Sequence, residues 1–476
     1  MFILMLFAPV VLAALVMFWQ NRFVIRLSLL AAAALYLLAA FGWGFDFIHK
    51  EVDGWLSNYF QIDAIGLFFL TIMALVFAGT AIYSLFFFKE TGTGVPQEAR
   101  YVASMLLFVD AMAGVILASH LGLLWVFVEA TTLTSAVLIY FEKKKSSLEA
   151  AWKYVFICSV GIAMAFVGII ILSMGSRSIG TLFFTDLYQR AYEINPFWLK
   201  MAFAFILVGF GTKVGIAPIH AWLPDAHSEA PSPVSALLSG TLLNTAFLGL
   251  IRVQEIMIQA RLDSFSNLLL LITGFLSLLI SAVFMLGTVN YKRMLAYSSI
   301  ENMGILFIGI AMGKTGIYAA MLHTVAHSLS KSSLFLTSGN ILHLYGSKKI
   351  SDVKGLLHRE PLTGWLWIVS LLAIIGLPPF PSFLSKFLLI TAFFEAGQGW
   401  LAVPFFLFVA VIIYGMGGAI FRMSFGDLPP GTCLSPKLGL SAYIPQVVFL
   451  LGLAAIGIYI PERALAFIQS AAGFLK

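Results

Sequence analysis

The run Met201-Ala-Phe-Ala-Phe-Ile-Leu-Val-Gly-Phe-Gly-Thr-Lys213-Val-Gly-Ile-Ala-Pro218-Ile-His220 buries a lysine in apolar sequence and follows it closely with a proline. A lysine at hydrocarbon depth costs about 2.5–3.5 kcal/mol on insertion scales. Two further lysines are placed in the same manner. Lys331 follows His323 and His327 at helical spacing, and Lys386 comes just after Pro378-Pro379-Phe380-Pro381. Three such costs in one chain point to a buried polar axis that moves protons or Na⁺.

The surrounding composition requires a membrane. Of the 476 residues, 61% are hydrophobic and 11% charged, against about 25% charge in an ordinary soluble chain. A spanning helix needs roughly 20 apolar residues. About fourteen such segments can be read: 2–19, 23–41, 62–88, 101–118, 121–141, 150–174, 198–220, 232–256, 265–288, 295–312, 316–344, 362–397, 401–423 and 442–460. Too little sequence remains between them for a soluble domain. The first segment lacks a basic leader and a small-residue cleavage site, so it reads as a helix and not as a signal peptide. Placing the N-terminus outside assigns about sixteen loop lysines and arginines to the inner side and about nine to the outer. Arg22, Arg26, Lys143, Lys144, Lys292, Arg293, Lys348, Lys349 and Lys437 are among the inner ones. The expectation is a multi-pass protein of a prokaryotic cytoplasmic membrane with both termini outside.

The net charge of +6 is then a topology signal. No basic patch with interleaved aromatics suggests nucleic acid. Cys158 and Cys433 are far apart, short of the thiolates an iron–sulfur cluster needs, and show no zinc spacing. No Walker-type glycine loop appears. The sequence therefore predicts no cofactor, no metal and no redox centre of its own, and energy must arrive from a partner or an ion gradient.

Two segments read as interrupted helices. One runs through Lys213, Pro218, His220, Pro224, Asp225, His227 and Glu229; the other through Gly376, Pro378, Pro379, Pro381 and Lys386. Proline removes a donor and clashes with the preceding turn, and the freed backbone groups must face protein or water. Prolines also kink helices with no further role, but a lysine beside each break favours an ion site, which paired broken helices commonly mark in transporters. The breaks fall in the seventh and twelfth segments. Segments four to eight and nine to thirteen then form two five-helix repeats of opposite orientation. The expected organisation is residues 1–100 as an N-terminal three-helix part, 101–256 and 257–423 as the repeats, and 424–476 as the C-terminal helix.

Other polar residues lie on these helices. Glu129 is flanked by apolar sequence and by Thr131, Thr132, Thr134 and Ser135. A lone charged carboxylate at that depth is costly, and Lys213 from another helix is the natural counter-charge. His323, His327 and Lys331 step about 6 Å along the axis and about 40° around it. With Ser328, Ser330, Ser332 and Ser333 they predict a polar stripe suited to proton hopping. A bis-histidine haem would need a matched pair on a facing helix, and none stands out. Asp110 and Glu301 are further acids in apolar segments, Glu301 close enough to a segment end to reach the surface. His220, Asp225, His227 and Glu229 form either an entry mouth or a solvated loop.

These residues together resemble the antiporter-type subunits shared by respiratory complex I, Mrp Na⁺/H⁺ antiporters and membrane-bound group 4 nickel–iron hydrogenases such as formate hydrogenlyase. The strongest match is Pro218-Ile-His220-Ala-Trp-Leu-Pro224-Asp225-Ala-His227 and the Ala-Pro-Ser-Pro-Val-Ser-Ala-Leu-Leu that follows shortly. Tyr297-Ser-Ser-Ile, His323-Thr-Val-Ala-His327-Ser-Leu-Ser-Lys331 and Phe383-Leu-Ser-Lys386-Phe also fit, and the likeness covers nearly the whole chain. It implies that Glu129 and Lys213 are a buried ion pair, Lys331 a central relay and Lys386 the terminal residue. One departure is Asn244, where many members carry a lysine, so the link from Lys213 to the histidine helix must use water or other groups. Glu301, Asn244 and the lack of a long lateral helix after the last segment look most like the hydrogenase-linked branch. The resemblance implies neighbouring membrane subunits and a peripheral hydrogenase or dehydrogenase arm. A complex I-type or Mrp-type assembly is the alternative, and a stand-alone solute carrier a more distant one.

Overall fold

The computed structural model describes residues 2–41, 58–426 and 438–475. Cys433 and Lys437 lie outside them. The described chain is all helix apart from turns and isolated bridges such as His120 with Phe183. It begins with α1 (Phe2–Phe18), α2 (Arg22–Phe41), α3 (Ala64–Thr91), α4 (Val95–Leu117), α5 (Leu121–Ile139), α6 (Lys145–Gly175) and the short α7 (Phe184–Gln189). The first interrupted pair is α8 (Pro196–Val214) and α9 (Trp222–Glu229); α10 (Ser232–Leu237) then passes through a π-turn at Leu238–Leu242 into α11 (Leu243–Gln259). Next come α12 (Asp263–Gly287), α13 (Tyr291–Ile310), α14 (Gly313–Tyr345) and the one-turn α15 (Leu356–Arg359). The second interrupted pair is α16 (Pro361–Ile375) and α17 (Pro381–Glu395), followed by α18 (Ala402–Ser424), α19 (Ile444–Ile458) and α20 (Glu462–Ala472).

Among the described residues, nine helices are long and apolar enough to cross a membrane, and α19 with α20, bent by 89°, offers a further candidate. The chain is thus a multi-pass, all-α membrane protein. Nine falls short of the fourteen read from sequence for physical reasons. The α1 and α16 helices are apolar but short, α16 because the second interruption splits it from α17, whereas α8 is long enough to count by itself. The α13 helix carries Lys292, Arg293 and Glu301, and α14 carries two histidines, a lysine and four serines in mid-helix.

The Ser232–Gln259 span is wholly enclosed by protein, whereas α6 turns Trp152, Phe156 and Val160 outward. Packing between α6 and α8 shows how sequence sets this layer. Gly161, Gly168 and Gly175 recur every seven residues, two helical turns, along one face of α6. A Cβ added at Gly161 would stand 2.6 Å from Thr212, at Gly168 2.7 Å from Ile206, and at Gly175 2.7 Å from Trp198. Small residues let helix backbones approach closely in lipid, where burying apolar surface against protein gains little. The approach carries Tyr154 of α6 to the side of Lys213.

Both interruptions accommodate their freed backbone groups inside protein. Helix α8 ends at Gly215 (φ 79°) and α16 at Gly376 (φ 90°), left-handed turns that glycine adopts without strain. At the first break the Trp222 indole N–H donates to Thr212 O at 2.8 Å, and the Ala217 N–H donates to Ser277 Oγ at 2.9 Å. At the second, Lys386 Nζ donates to Ile375 O at 3.1 Å and the Ser382 hydroxyl donates to Ala373 O. Pro218 lies between α8 and α9 and Pro224 within α9; Pro378 and Pro379 lie between α16 and α17, which Pro381 opens. Each break therefore turns main-chain acceptors toward side chains, one of them the lysine itself.

Candidate functional site

A first cluster joins α5, α6 and α8. Lys213 is fully buried, and its Nζ donates to Thr132 Oγ1 at 2.8 Å and to the Tyr154 hydroxyl at 2.6 Å. The same Nζ lies 4.7 Å from the centre of the Tyr154 ring, a cation–π distance. Glu129 accepts from Ser159 Oγ at 2.7 Å and from Thr132 Oγ1 at 3.4 Å. The direct Glu129–Lys213 pair expected from sequence is therefore corrected: a threonine hydroxyl stands between the two charges. Glu129 is also only half-buried, because α5 presents Val126, Leu133 and Val137 to the outside of the chain.

A second cluster occupies the centre. His323, His327 and Lys331 are buried along α14, as their spacing requires. Lys331 Nζ donates to Leu295 O at 2.6 Å and to the Ser298 hydroxyl, while His327 Nε2 lies 3.3 Å from Ser239 O. The serines do not share one stripe, because each residue turns about 100° around the helix, so Ser328 and Ser332, four apart, face one side and Ser333 another. Ser328 meets Asn244, Ser332 approaches Ala236 O, and Ser333 pairs with Ser370 on α16 at 2.7 Å. Asn244 donates to Ser328 Oγ at 2.7 Å and to Gly240 O at 2.9 Å. It thus joins α11 to the histidine helix just after the π-turn.

The third cluster adjoins the second at Ser298, whose hydroxyl meets Lys331 and whose main-chain carbonyl accepts from Asn302. His323 Nε2 lies 2.9 Å from Asn302 Oδ1 and its Nδ1 2.8 Å from Ser385 Oγ, the residue before Lys386. Asn302 Nδ2 reaches Ser298 O at 2.6 Å and Glu301 Oε2 at 3.5 Å. Glu301 Oε1 in turn lies 3.6 Å from Lys386 Nζ. The surface alternative for Glu301 is overturned, since it is 4% exposed in mid-helix. Lys331, Ser298, Asn302, His323, Glu301, Ser385 and Lys386 form one connected polar line.

The entry-mouth group divides. His227 is fully buried with its ring stacked on Phe335 at 5.0 Å, and no protein group bonds either nitrogen among the described residues. His220 is half-buried at the α8–α9 break. Asp225 pairs with Lys153 at 3.1 Å and with Arg293, and Glu229 with Lys348 at 3.3 Å and Ser146 at 2.8 Å. These pairs gather the ends of α6, α9, α13 and α14 at one face. Asp110 lies away from these clusters on α4, 8% exposed and beside Tyr36 of α2, its Oδ1 without a hydrogen-bond partner among the described residues.

The sequence reading did not single out several residues that complete these contacts. Tyr154, Ser159, Asn302 and Ser385 are ordinary helix residues by type, and only the packing brings them to the charges. Lys292 was read as a loop lysine, yet it is 1% exposed and donates to Ala230 O at 2.6 Å, at the end of α9. It is the second residue of α13, in the first turn that Asn290 caps. No group of three or more His, Cys, Asp or Glu residues suited to a metal occurs among the described residues.

Residues 118–413 match the family model described as NADH:quinone oxidoreductase/Mrp antiporter, transmembrane. A "Hydrogenase-4 component F homolog" of Methylacidiphilum infernorum is 34% identical over 88% of this chain and 89% of its own length. Hydrogenase-4 component B of Escherichia coli is 26% identical over 91% of this chain, which spans 65% of that longer protein. Among solved structures, a chain of the membrane-bound sulfane sulfur reductase, an archaeal respiratory membrane complex, superposes with TM-score 0.88 at 23% identity, covering 100% of this chain and 97% of that one. By sequence and by fold, the chain is a member of the NADH:quinone oxidoreductase/Mrp antiporter transmembrane family.

Proposed function

We propose that this chain moves protons, or Na⁺, across a prokaryotic cytoplasmic membrane as an antiporter-like subunit of a redox-driven complex. The observation that carries this reading is the buried row of polar groups from Lys331 by way of Ser298, Asn302, His323 and Glu301 to Lys386 in an otherwise apolar bundle. The relative's name, hydrogenase-4 component F homolog, supports a hydrogenase-type complex with further membrane subunits and a peripheral arm.

The reading uses fourteen crossings, both termini outside, and two inverted five-helix repeats, 101–256 and 257–423, each holding one interrupted helix. Asp225 and Glu229 with their basic partners then lie on the inner face, as the excess of inner lysine and arginine favours. Glu129 and Lys213 act as the switch of the first repeat. His227, Asn244, His327 and Lys331 link the repeats, and Lys386 with Glu301 ends the line. His220 and Asp110 are secondary groups.

Magnitudes fit one ion per cycle. Stripping a buried charge of its partner costs about 3–5 kcal/mol, and moving one charge against the field costs about 2.3 kcal/mol per 100 mV. Glu301 with Lys386 is the buried pair of that kind, and a redox step that weakens the Thr132-bridged coupling of Glu129 to Lys213 biases the lysine's proton toward Lys331.

Purifying the complex from its host tests the reading. Mass spectrometry should find a peripheral redox arm, and Lys213→Ala should abolish ion pumping while the complex still assembles. A chain that purifies alone and binds an organic solute would replace this account with a carrier.

A further inference from the structure

We infer that Tyr154 is a positioning residue of the first repeat, a fixed hydroxyl that serves Lys213 in both its charged and neutral forms so that the lysine need not move as its proton leaves. The inference deepens the proposed ion relay and rests on it.

Lys213 has no carboxylate within ion-pair distance among the described residues; its side-chain partners are the hydroxyls of Thr132 and Tyr154. A hydroxyl both donates and accepts, and its hydrogen rotates to suit. A carboxylate would favour only the ammonium. With Lys213 charged, its N–H donates to Tyr154, and the contacts beyond run in one direction. Tyr154 OH lies 2.6 Å from Ser135 Oγ, and Ser135 Oγ donates to Thr131 O at 2.5 Å. With Lys213 neutral, its nitrogen becomes an acceptor. The Tyr154 hydrogen then turns from Ser135 to Lys213, and Ser135 keeps its bond to Thr131 O. The Tyr154–Ser135 hydrogen bond is exchanged for one from Tyr154 to the neutral amine, so Lys213 keeps a partner in place while its departing proton passes along the relay.

The rest of Tyr154 is held still. The residue is fully buried, and its ring lies 4.9 Å from that of Trp222 on α9. The Trp222 indole N–H is anchored on Thr212 O, the carbonyl next to Lys213. The ring is thus clamped between the lysine and the segment beyond the break, which leaves the O–H rotor as the free coordinate. Thr132 has a similar capacity, but its hydroxyl already connects to Glu129.

Tyr154→Phe keeps the ring and removes only the hydroxyl. In membrane vesicles holding the assembled complex, pumping should be followed by dye quenching, driven by the electron donor of the co-purified arm. We expect the ions moved per electron to fall about ten-fold or more, the effect of one lost hydrogen bond to a charged group, while electron transfer and subunit content stay near wild type. Ser135→Ala, which removes only the far acceptor, should give a smaller drop. Lys213→Ala is the control for the relay itself. If Lys213→Ala abolishes pumping and Tyr154→Phe leaves the ratio unchanged, the role of Tyr154 is wrong and the relay stands. If Lys213→Ala pumps normally, the relay itself fails. If Tyr154→Phe lowers electron transfer and subunit content together with pumping, Tyr154 is only a packing residue and the inference is overturned.

Discussion

Glu301 and Lys386, from helices α13 and α17, meet at 3.6 Å with both side chains at most 10% exposed. Sequence spacing could not pair them, since eighty-five positions separate the two (386 − 301). Removing one member leaves an uncompensated charge, at a cost of about 3–5 kcal/mol. Glu301→Ala should therefore lower thermal stability of the purified complex more than Glu301→Ala with Lys386→Met. A double-mutant cycle showing no coupling would refute the pair.

Lys292 is the buried lysine that charge patterning assigned to a loop. It tethers the end of α9 through Ala230 O, the residue that follows Glu229 at the same face. Lys292→Met keeps the length of the chain and removes the donor. Pumping should fall at least several-fold with assembly intact, as read by vesicle acidification; an unchanged rate would leave Lys292 a structural tether only.

The glycine stripe makes a packing prediction. Gly161→Val would force a side chain against Thr212, beside Lys213. Overpacking of this kind costs about 1–3 kcal/mol. The variant should melt at lower temperature than Gly161→Ala in a detergent thermal-shift assay. Equal melting of both would mean the helices separate freely at this level.

Arg252 and Asp63 form a two-pronged contact at 2.8 and 3.1 Å between α11 and the start of α3, whose first turn Asp63 also caps. Arg252 is 4% exposed but the Asp63 side chain is 38% exposed, so water softens the loss of either partner. Arg252→Met should destabilise by about 1–2 kcal/mol, and Asp63→Asn by less. Proteolysis near residue 63 would measure the loosening of that end.

How much of this was legible in the sequence follows from where each contact comes from. The interrupted helices were readable because Pro218 and Pro379 act locally, on their own backbone. His323, His327 and Lys331 were readable because helical spacing alone lines them up. Glu129 was placed near Lys213 correctly in outline, but the intervening Thr132 depends on how α5 and α8 are rotated, which no local pattern specifies. Glu301 was left near the surface because its partner lies on a distant helix. Length and apolarity alone mark nine spans among the described residues, because α1 and α16 are short and α13 and α14 carry polar residues that lower their apolarity.

The most direct measurement is the number of ions moved per electron by the assembled complex carrying Lys331→Met, at the head of the connected line. The account predicts continued electron transfer with pumping lost. Pumping at the wild-type ratio would contradict it.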